Sequence, residues 1–381
     1  MKILLTGGGT GGHITPILAV AYELKQAAPD CTVVFVGERG GKFAELTDNN
    51  KAIDQTFAVS SGKFRRYYGE SWLRRLTDIR TILLNIRDIY RVCRGTWQAW
   101  RLLGRVRPDV ILLKGGFVGV PVGLAAALRH IPTVTHDSDA LPGLANRIAG
   151  RWAVVHATAL PAAYYPYKAA KVQPVGVLVE HTYQPVNEAA ERRYKQQLGL
   201  DPDNPLLLVT GGSSGAERIN KTVAGFVDEL LQKLPALHII HQVGKGKARV
   251  YKEYQHDRLQ VVEFLRPLSV AMGAADVVIT RASGNTLAEL GVQGKACIVI
   301  PNPYLTEGHQ LKNAERLKEQ GAAIVLEEKQ LYDAQHGLFA LTLQLLSDPN
   351  QRSELAAKLQ AITIPDAAKR LALLLLGQTK A

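Results

Sequence analysis

Residues 1–24 read MKILLTGGGTGGHITPILAVAYEL. The apolar run at residues 3–5 is typical of a short buried strand, and the apolar residues between 17 and 24 recur at helical spacing. Five of the six residues 7–12 are glycines. Because glycine lacks a Cβ atom, such a turn can aim free N–H groups at an anion, and the dipole of the following helix favours negative charge. The turn predicts an anion site, although it also fits a tight strand-to-helix connection that holds no ligand.

A similar turn recurs in the middle of the chain. The stretch LLVTGGSSGAERIN, residues 207–220, repeats the Thr-Gly-Gly of residues 6–8 after an apolar run and before a helical pattern. A third stretch, ADVVITRASGNTLAELGVQGK at residues 275–295, places Ser283 and Gly284 at the start of a helix. It predicts a second anion site.

Strand-like apolar runs alternate with helical patterns along the chain. They cover residues 32–36, 110–113, 133–136, 206–209, 238–241, 277–280 and 297–300. This alternation is typical of parallel sheets built from β-α-β units. We therefore predict an α/β protein of two doubly wound, Rossmann-like domains that face each other across a cleft, with a boundary between residues 174 and 185.

Neither glycine-rich loop carries a common nucleotide-binding fingerprint. GGGTGGH at 7–13 and GGSSGAE at 211–217 lack the acidic residue of a dinucleotide-binding fold, and no Lys-Ser or Lys-Thr follows as in a Walker loop. These patterns count against an oxidoreductase and an ATPase. The loops favour a phosphate-bearing ligand held between the two domains.

The composition indicates a globular chain of more than one domain. It has 381 residues, 46% of them hydrophobic, and no uninterrupted run of 18 apolar residues. The three cysteines, Cys31, Cys93 and Cys297, lack metal-ligand spacing and are expected to be reduced. The apolar run after Lys2 is too short for a signal peptide, so we expect a cytoplasmic protein.

The net charge of +12 is concentrated in one segment. Residues 63–107 contain twelve Lys or Arg against three acidic residues, together with three of the four tryptophans. Apolar residues between 73 and 90 recur every three or four positions, which predicts an amphipathic helix. This segment suits an anionic membrane surface. It equally fits a core-packed helix with a solvated basic face, and nucleic acid is a weaker reading because no recognised binding module accompanies the charge.

Six motifs occur in the order found in one enzyme family. They are TGGGTGGHITPILAVA, GGSSGAERIN, HQVGKG, RASGNTLAEL, HQLKNA and IPDAAKRLA. Because of these motifs and their order, the chain resembles the MurG-type enzymes from residue 2 to residue 372. These enzymes are UDP-N-acetylglucosamine:lipid-linked muramyl-peptide GlcNAc transferases of bacterial peptidoglycan synthesis. Their role ties them to cell-wall biogenesis, cell shape and cell division.

The resemblance implies a GT-B glycosyltransferase fold and a hexosyltransferase that inverts the anomeric carbon without a metal or cofactor. Its partners would be UDP-GlcNAc, a lipid-linked muramyl-peptide acceptor and the anionic cytoplasmic face of the cell membrane. Residues 1–177 would form the acceptor- and membrane-facing domain, and residues 178–365 the UDP-sugar-binding domain. The last helix, residues 366–381, would pack back on the first domain.

The resemblance also implies a donor site in the second domain. Glu289 would accept hydrogen bonds from the ribose hydroxyls, Leu265 would read the uracil through its backbone, and Gln310 would face the sugar hydroxyls. The remaining donor residues, expected near the nucleotide and its diphosphate, are Ser213, Gly284, Asn285, Thr286, Leu287 and Ala288.

In the first domain the resemblance implies that Thr10, Gly11 and Gly12 meet the transferred sugar and the acceptor diphosphate. His13 would take the proton of the attacking hydroxyl, or would only cap or orient the loop. Asp137 is the second candidate for the base. An Asp-x-Asp metal site at residues 137–139 is not expected, because two carboxylates alone rarely define a metal site.

Three positions depart from the family pattern. Asp139 stands where the family has Asn, Arg266 where it has an acid, and Glu180 where it has Arg. The last change alters the local charge by two units near the expected diphosphate, and Lys245, Arg218 or Arg266 are the candidate compensating cations. Three other functions therefore stay open: transfer of another UDP-sugar to a different lipid, a UDP-sugar epimerase, and a non-catalytic membrane scaffold.

Overall fold

The computed structural model describes residues 1–8, 11–41, 47–63, 78–251, 254–304 and 308–379. The chain divides into two compact units. Unit 1 comprises Met1–Glu180 and Asp366–Ala381, and unit 2 comprises His181–Pro365.

Unit 1 is built on a seven-stranded parallel sheet. Its strands are β1 (Lys2–Thr6), β2 (Thr32–Glu38), β3 (Gln55–Val59), β4 (Val110–Leu113), β5 (Thr133–Asp137), β6 (Val155–Thr158) and β7 (Val172–Pro174). They lie in the order β3-β2-β1-β4-β5-β6-β7, and all pairs are parallel. The order reverses between β1 and β4, so the topological switch point of this sheet lies beyond the ends of these two strands.

The helices of unit 1 cover this sheet. They are α1 (Gly11–Ala27), α2 (Ile79–Val106), α3 (Gly119–Leu128) and α4 (Leu144–Ala149). The central strands β1 and β4 carry near-continuous apolar runs and are buried apart from Lys2, as expected for a parallel sheet with helices on both faces. Glycines allow close packing here: a Cβ atom on Gly95 of α2 would lie 1.9 Å from the carbonyl oxygen of Ser60.

Unit 2 repeats this architecture with six parallel strands. They are β8 (Leu206–Thr210), β9 (His238–Gln242), β10 (Leu259–Val262), β11 (Val277–Thr280), β12 (Ala296–Val299) and β13 (Ile324–Val325). The order is β10-β9-β8-β11-β12-β13, which places a second switch point between β8 and β11.

The remaining helices follow in chain order. Those of unit 2 are α5 (Glu188–Gln197), α6 (Glu217–Lys233), α7 (Leu268–Ala274), α8 (Gly284–Gln293), α9 (His309–Glu319), α10 (Leu338–Ser347) and α11 (Pro349–Ala361). The last helix, α12 (Ala367–Gln378), belongs to unit 1, where it packs against α1. Its buried face is formed by small and branched apolar residues, among them Leu371, Ala372 and Leu375.

The predicted α/β class with two doubly wound sheets is confirmed. Each of the seven apolar runs is a strand, although the last one begins one residue earlier, at Ala296. The three cysteines are free thiols. Among the described residues, no helix combines the length and apolar character needed to span a bilayer.

Candidate functional site

The switch point of unit 1 brings the glycine-rich loop against the end of β4. Thr6 and Leu113 are register partners at the carboxyl ends of β1 and β4, so Gly7 and Lys114 follow them side by side. A Cβ atom on Gly7 would lie 3.3 Å from Cβ of Lys114, and one on Gly116 would lie 2.0 Å from the carbonyl oxygen of Gly8. Glycine is therefore required for this contact, and Gly116 also has a φ of +76°.

The predicted acceptor loop continues into α1. Gly11 and Gly12 are the first two residues of this helix and His13 is the third, which places the histidine backbone in the first helical turn. Thr10 and the side chains of residues 11–13 lie outside the described part of the molecule.

Asp137 ends β5 and is almost completely buried. Its Oδ1 accepts a hydrogen bond of 2.8 Å from Nδ2 of Asn146, and its Oδ2 accepts one of 2.8 Å from the hydroxyl of Tyr167. Burial raises the pKa of the Asp137 carboxyl above its usual value, although these two donors and the nearby Lys114 ammonium oppose the shift. The carboxylate is held in place by groups of unit 1 itself.

The aromatic support of Asp137 comes from the segment after β6. The ring of Tyr167 stacks on His156 with 3.7 Å between the ring centroids, and Nδ1 of His156 lies 2.8 Å from Oγ1 of Thr135. Burial, followed by the charge of Lys171, lowers the pKa of His156 to about 4. His156 is therefore a neutral packing partner at physiological pH.

His136, which precedes Asp137, also belongs to the interior. Its Nε2 donates a hydrogen bond of 2.9 Å to the carbonyl oxygen of Gly176, and Asn146 donates to the carbonyl oxygen of His136. Burial and the charge of Lys114 hold the pKa of this imidazole well below its usual value. His136 fixes the backbone at the end of β5, and its lowered pKa keeps the imidazole neutral at physiological pH.

Lys114 lies beside this candidate site, although its sequence context does not single it out. It follows β4 and is buried, with 3% of its surface exposed. Its Nζ donates a hydrogen bond of 2.9 Å to Oγ of Ser138, and its backbone N–H donates to the carbonyl oxygen of Thr6. Burial lowers its pKa to about 8, although Asp137 and Asp139 favour the charged form. A lysine directly after an apolar strand run resembles an ordinary strand end, so its position in the sequence does not indicate a site.

The switch point of unit 2 has the same construction. The loop at 211–215 follows β8, and Ser213 in it is exposed. Gly215 has a φ of +66°, and a Cβ atom there would lie 1.8 Å from the carbonyl oxygen of Val243. Nζ of Lys247 donates a hydrogen bond of 2.8 Å to the carbonyl oxygen of Ser214. Two loops are thus packed backbone to backbone, with N–H groups near the start of α6.

A buried polar network of Asn220, His241 and Tyr251 supports the loops at 211–215 and after β9. Nε2 of His241 lies 3.1 Å from Oδ1 of Asn220, and Nδ1 lies 2.6 Å from the hydroxyl of Tyr251. Nδ2 of Asn220 donates a hydrogen bond of 2.8 Å to the carbonyl oxygen of Val243. Because burial lowers the pKa of His241 to about 3, this network contains a neutral imidazole at physiological pH.

The predicted donor residues 284–289 form the first turns of α8. Ser283 is the N-cap residue, and its side chain makes no capping hydrogen bond, so its hydroxyl does not occupy the N–H groups of the first turn. Leu287 and Ala288 are buried, whereas Asn285, Thr286 and Glu289 are partly exposed. An open helix N-terminus beside a glycine-rich loop is a suitable place for a diphosphate.

The side chain of Gln310 on α9 is fixed by a hydrogen bond. It is buried, and its Oε1 accepts a hydrogen bond of 2.9 Å from the backbone N–H of Asn302. Nδ2 of Asn313 on the same helix donates to the carbonyl oxygen of Ala282. Gln310 therefore fixes the loop after β12 through its side-chain oxygen.

Of the remaining predicted residues, Leu265 and Glu180 lie on loops, whereas Arg218 lies in the first turn of α6. Leu265 follows β10 and is half-buried, and the guanidinium of Arg266 lies over the ring of Phe264, 4.8 Å from its centroid. Arg218 is ion-paired with Glu328. Glu180 is the last residue of the first segment of unit 1, and burial raises the pKa of its carboxyl.

Family models and known proteins match this chain over almost its whole length. The N-terminal domain model of glycosyltransferase family 28 matches residues 3–157, and the C-terminal domain model matches residues 206–371. A UDP-N-acetylglucosamine--N-acetylmuramyl-(pentapeptide) pyrophosphoryl-undecaprenol N-acetylglucosamine transferase from Symbiobacterium thermophilum is 33% identical, with 99% of this chain and 96% of that protein covered. The enzyme of the same name from Natranaerobius thermophilus is also 33% identical, with 97% of each chain covered.

Solved structures agree on the fold. The crystal structure of Acinetobacter baumannii MurG is similar with a TM-score of 0.71 and 24% identity, over 99% of both chains. A UDP-GlcNAc 2-epimerase from Neisseria meningitidis is similar with a TM-score of 0.63 at 15% identity, over 99% of this chain and 100% of that one. The chain belongs to glycosyltransferase family 28 and, within it, to the MurG family of N-acetylglucosamine transferases.

Proposed function

We propose that this protein transfers GlcNAc from UDP-GlcNAc to the muramyl sugar of undecaprenyl-diphospho-muramyl pentapeptide, with inversion at the anomeric carbon. The observation that carries the proposal is the near full-length match to relatives named for this reaction, at 33% identity. The two switch points, each with a glycine-rich loop, supply the anion-binding elements that a diphosphate donor and a diphosphate-linked acceptor require.

Unit 2 is the donor-binding unit in this proposal. The N-terminus of α8 and the loop at 211–215 would hold the diphosphate of UDP-GlcNAc, and their N–H groups would stabilise the negative charge that develops on UDP as it leaves. Glu289 would accept hydrogen bonds from the ribose hydroxyls. Leu265 and Ser213 would lie near the nucleoside, and Gln310 would donate to a sugar hydroxyl through its amide nitrogen.

Unit 1 is the acceptor-binding unit. The muramyl hydroxyl oxygen attacks the anomeric carbon as the bond from that carbon to the UDP oxygen breaks, and the hydroxyl proton passes to a base. We favour His13 as this base, because its backbone lies in the first turn of α1, where a helix dipole in general favours a neutral imidazole. Asp137 is the weaker candidate, since it is buried and both of its oxygens already accept hydrogen bonds.

We infer that α2 carries the membrane-facing surface of a peripheral protein at the cytoplasmic face of the cell membrane. Leu83, Ile86, Tyr90 and Trp97 are spaced by three, four and seven residues and are more than half exposed. The guanidinium of Arg101 lies 5.0 Å from the centroid of the Trp97 ring. An apolar and aromatic helix face with flanking arginines matches the chemistry of an anionic bilayer surface. Residues 64–77, which the sequence analysis included in this surface, lie outside the described residues.

The direct test of the proposed function is UDP release by the purified protein. UDP-GlcNAc is supplied with and without a short-chain analogue of the undecaprenyl-diphospho-muramyl peptide. Release that depends on the acceptor supports the transferase, and the product's new glycosidic bond should have the β configuration. Isomerisation of UDP-GlcNAc without acceptor, or release only from another UDP-sugar, would overturn the proposal.

A further inference from the structure

The two sheets place a cation at the same position of their switch points. In unit 1 the register pair Thr6 and Leu113 is followed by Gly7 on one strand and Lys114 on the other. In unit 2 the register pair Thr210 and Thr280 is followed by Gly211 and Arg281. Both cations are nearly inaccessible, with 3% and 8% of their surface exposed.

The two cations differ in how their charge is balanced. Nη1 of Arg281 lies 2.6 Å from Oε1 of Glu328, which is a buried ion pair. In the part of the chain that the structure describes, Nζ of Lys114 has one hydrogen-bond acceptor, the hydroxyl oxygen of Ser138, and no carboxylate within ion-pair distance. A buried ammonium with three donors and a single neutral acceptor has unused hydrogen-bonding capacity.

The carboxylate of Asp137 does not use that capacity. Asp137 and Asp139 act on Lys114 through their charge, but the oxygens of Asp137 accept from Asn146 and Tyr167 instead. Cβ of Lys114 lies 3.3 Å from the position that a Cβ atom on Gly7 would take, at the start of the glycine-rich loop after β1. A cationic side chain thus begins directly beside the loop for which the sequence predicts an anion site.

We propose that Lys114 is a diphosphate-binding residue of unit 1, whose ammonium group donates to a phosphate oxygen of the ligand held on the glycine-rich loop after β1. The identification of this ligand as the diphosphate of the lipid-linked acceptor rests on the proposed function. Asp139 weakens the interaction by its negative charge, so it tunes the affinity that Lys114 provides.

The experiment measures binding without turnover. A short-chain dialkyl diphosphate diester and, in a second arm, inorganic pyrophosphate are titrated calorimetrically against wild type, Lys114→Met and Lys114→Arg, with UDP at saturation to fill the donor site. We expect Lys114→Met to weaken diester binding by about tenfold to a hundredfold, the effect of one charge-assisted hydrogen bond. Lys114→Arg should stay within a few-fold of wild type. If pyrophosphate alone depends on Lys114, the site binds free diphosphate and not the acceptor.

The stability of the variants separates a binding role from a structural one. A binding lysine that is buried without a counter-ion destabilises the fold, so Lys114→Met should melt at a higher temperature than wild type at pH 7 and bind UDP as before. A lower melting temperature with unchanged diester affinity would overturn the proposal. If Lys114→Met does not fold, Lys114→Gln and Asp139→Asn serve instead, and Asp139→Asn should bind the diester more tightly.

Loss of diester binding in Lys114→Met, together with no GlcNAc transfer by wild type, would uphold this site and reject the proposed reaction. GlcNAc transfer by wild type, together with an unchanged diester affinity in Lys114→Met, would support the proposed reaction and reject Lys114 as a diphosphate-binding residue.

Discussion

The hydroxyl of Tyr167 donates a hydrogen bond of 2.8 Å to Oδ2 of Asp137, which lies thirty residues earlier in the chain. Because this donor favours the ionised carboxylate, it opposes the rise in the pKa of Asp137 that burial causes. The same ring stacks on His156, so Tyr167 holds both the charge and the position of the residue that ends β5.

Tyr167→Phe should therefore destabilise the protein in a pH-dependent way. The pKa of the Asp137 carboxyl is higher in the folded than in the unfolded protein, so the unfolding free energy falls as the pH rises between these two values. The substitution removes a donor to the ionised carboxylate and so raises the folded pKa further. We expect a loss of about 1–3 kcal/mol at pH 7 and a smaller loss at pH 4, measured by urea unfolding.

Tyr165→Phe is the matched control. The hydroxyl of Tyr165 donates to the backbone carbonyl oxygen of Asp139 and not to a carboxylate. Its removal should cost stability by a similar amount at both pH values. Equal losses for Tyr167→Phe at pH 7 and pH 4 would show that its hydrogen bond does not act through the charge of Asp137.

The lowered pKa of Lys114 predicts a second pH dependence of the unfolding free energy, with the opposite sign. Its folded pKa of about 8 lies below the usual value of 10.5, so the unfolded chain binds more protons between these two values. The unfolding free energy of wild type should rise relative to Lys114→Met between pH 8 and pH 10. Burial is the main cause of the lowered pKa of Lys114, and the charges of Asp137 and Asp139 oppose it.

The affinity for the diphosphate diester should also depend on the titration of the Lys114 ammonium group. The affinity of wild type should fall above pH 8 as Lys114 loses its proton, and that of Lys114→Arg should stay level, since arginine keeps its charge. Calorimetric titrations at half-unit steps from pH 7 to pH 9.5 measure this. Parallel curves for the two proteins would contradict an ammonium contact with the ligand.

The loop after β8 offers a pair of glycines that separates backbone strain from steric conflict. Both Gly212 and Gly215 have a positive φ, but a Cβ atom on Gly212 meets open space, whereas one on Gly215 would collide with the carbonyl oxygen of Val243. We expect Gly212→Ala to cost about 1–2 kcal/mol for the left-handed backbone alone. Gly215→Ala should cost more and should also weaken UDP binding. Thermal unfolding and UDP titration measure the two effects, and similar losses in both variants would argue against the backbone contact.

Much of the fold follows from local patterns in the sequence. The apolar runs at β1, β4 and β8 have the length and bounds of buried parallel strands, and the glycines after β1 and β8 mark their turns. The candidate site is harder to predict. Whether Lys114 stands beside Gly7 depends on the order of strands in the sheet, and whether Tyr167 reaches Asp137 depends on packing between segments thirty residues apart. Such non-local contacts leave no periodic trace in the sequence.

Glu289 gives a test of the ribose contact. Glu289→Ala should raise the KM for UDP-GlcNAc about tenfold to a hundredfold and change kcat less, because the ribose hydroxyls are bound in the ground state and the transition state alike. Wild type should lose affinity for a 2′-deoxyribose analogue of the donor, and Glu289→Ala should not. A variant that still discriminates between the two donors would reject the assignment of Glu289 to the ribose.

The exposed face of α2 predicts how the protein binds membranes. Leu83→Glu with Ile86→Glu replaces two exposed apolar side chains by carboxylates on the face opposite the buried Val92 and Leu103. This double variant should bind anionic phospholipid vesicles at least about tenfold more weakly, since it loses apolar burial and adds like charge. Tyr332→Glu in unit 2, at an aromatic residue that is more exposed than Leu83 and Ile86, should bind the vesicles as wild type does. Vesicle sedimentation measures binding, and equal binding by all three proteins would place the membrane contact elsewhere.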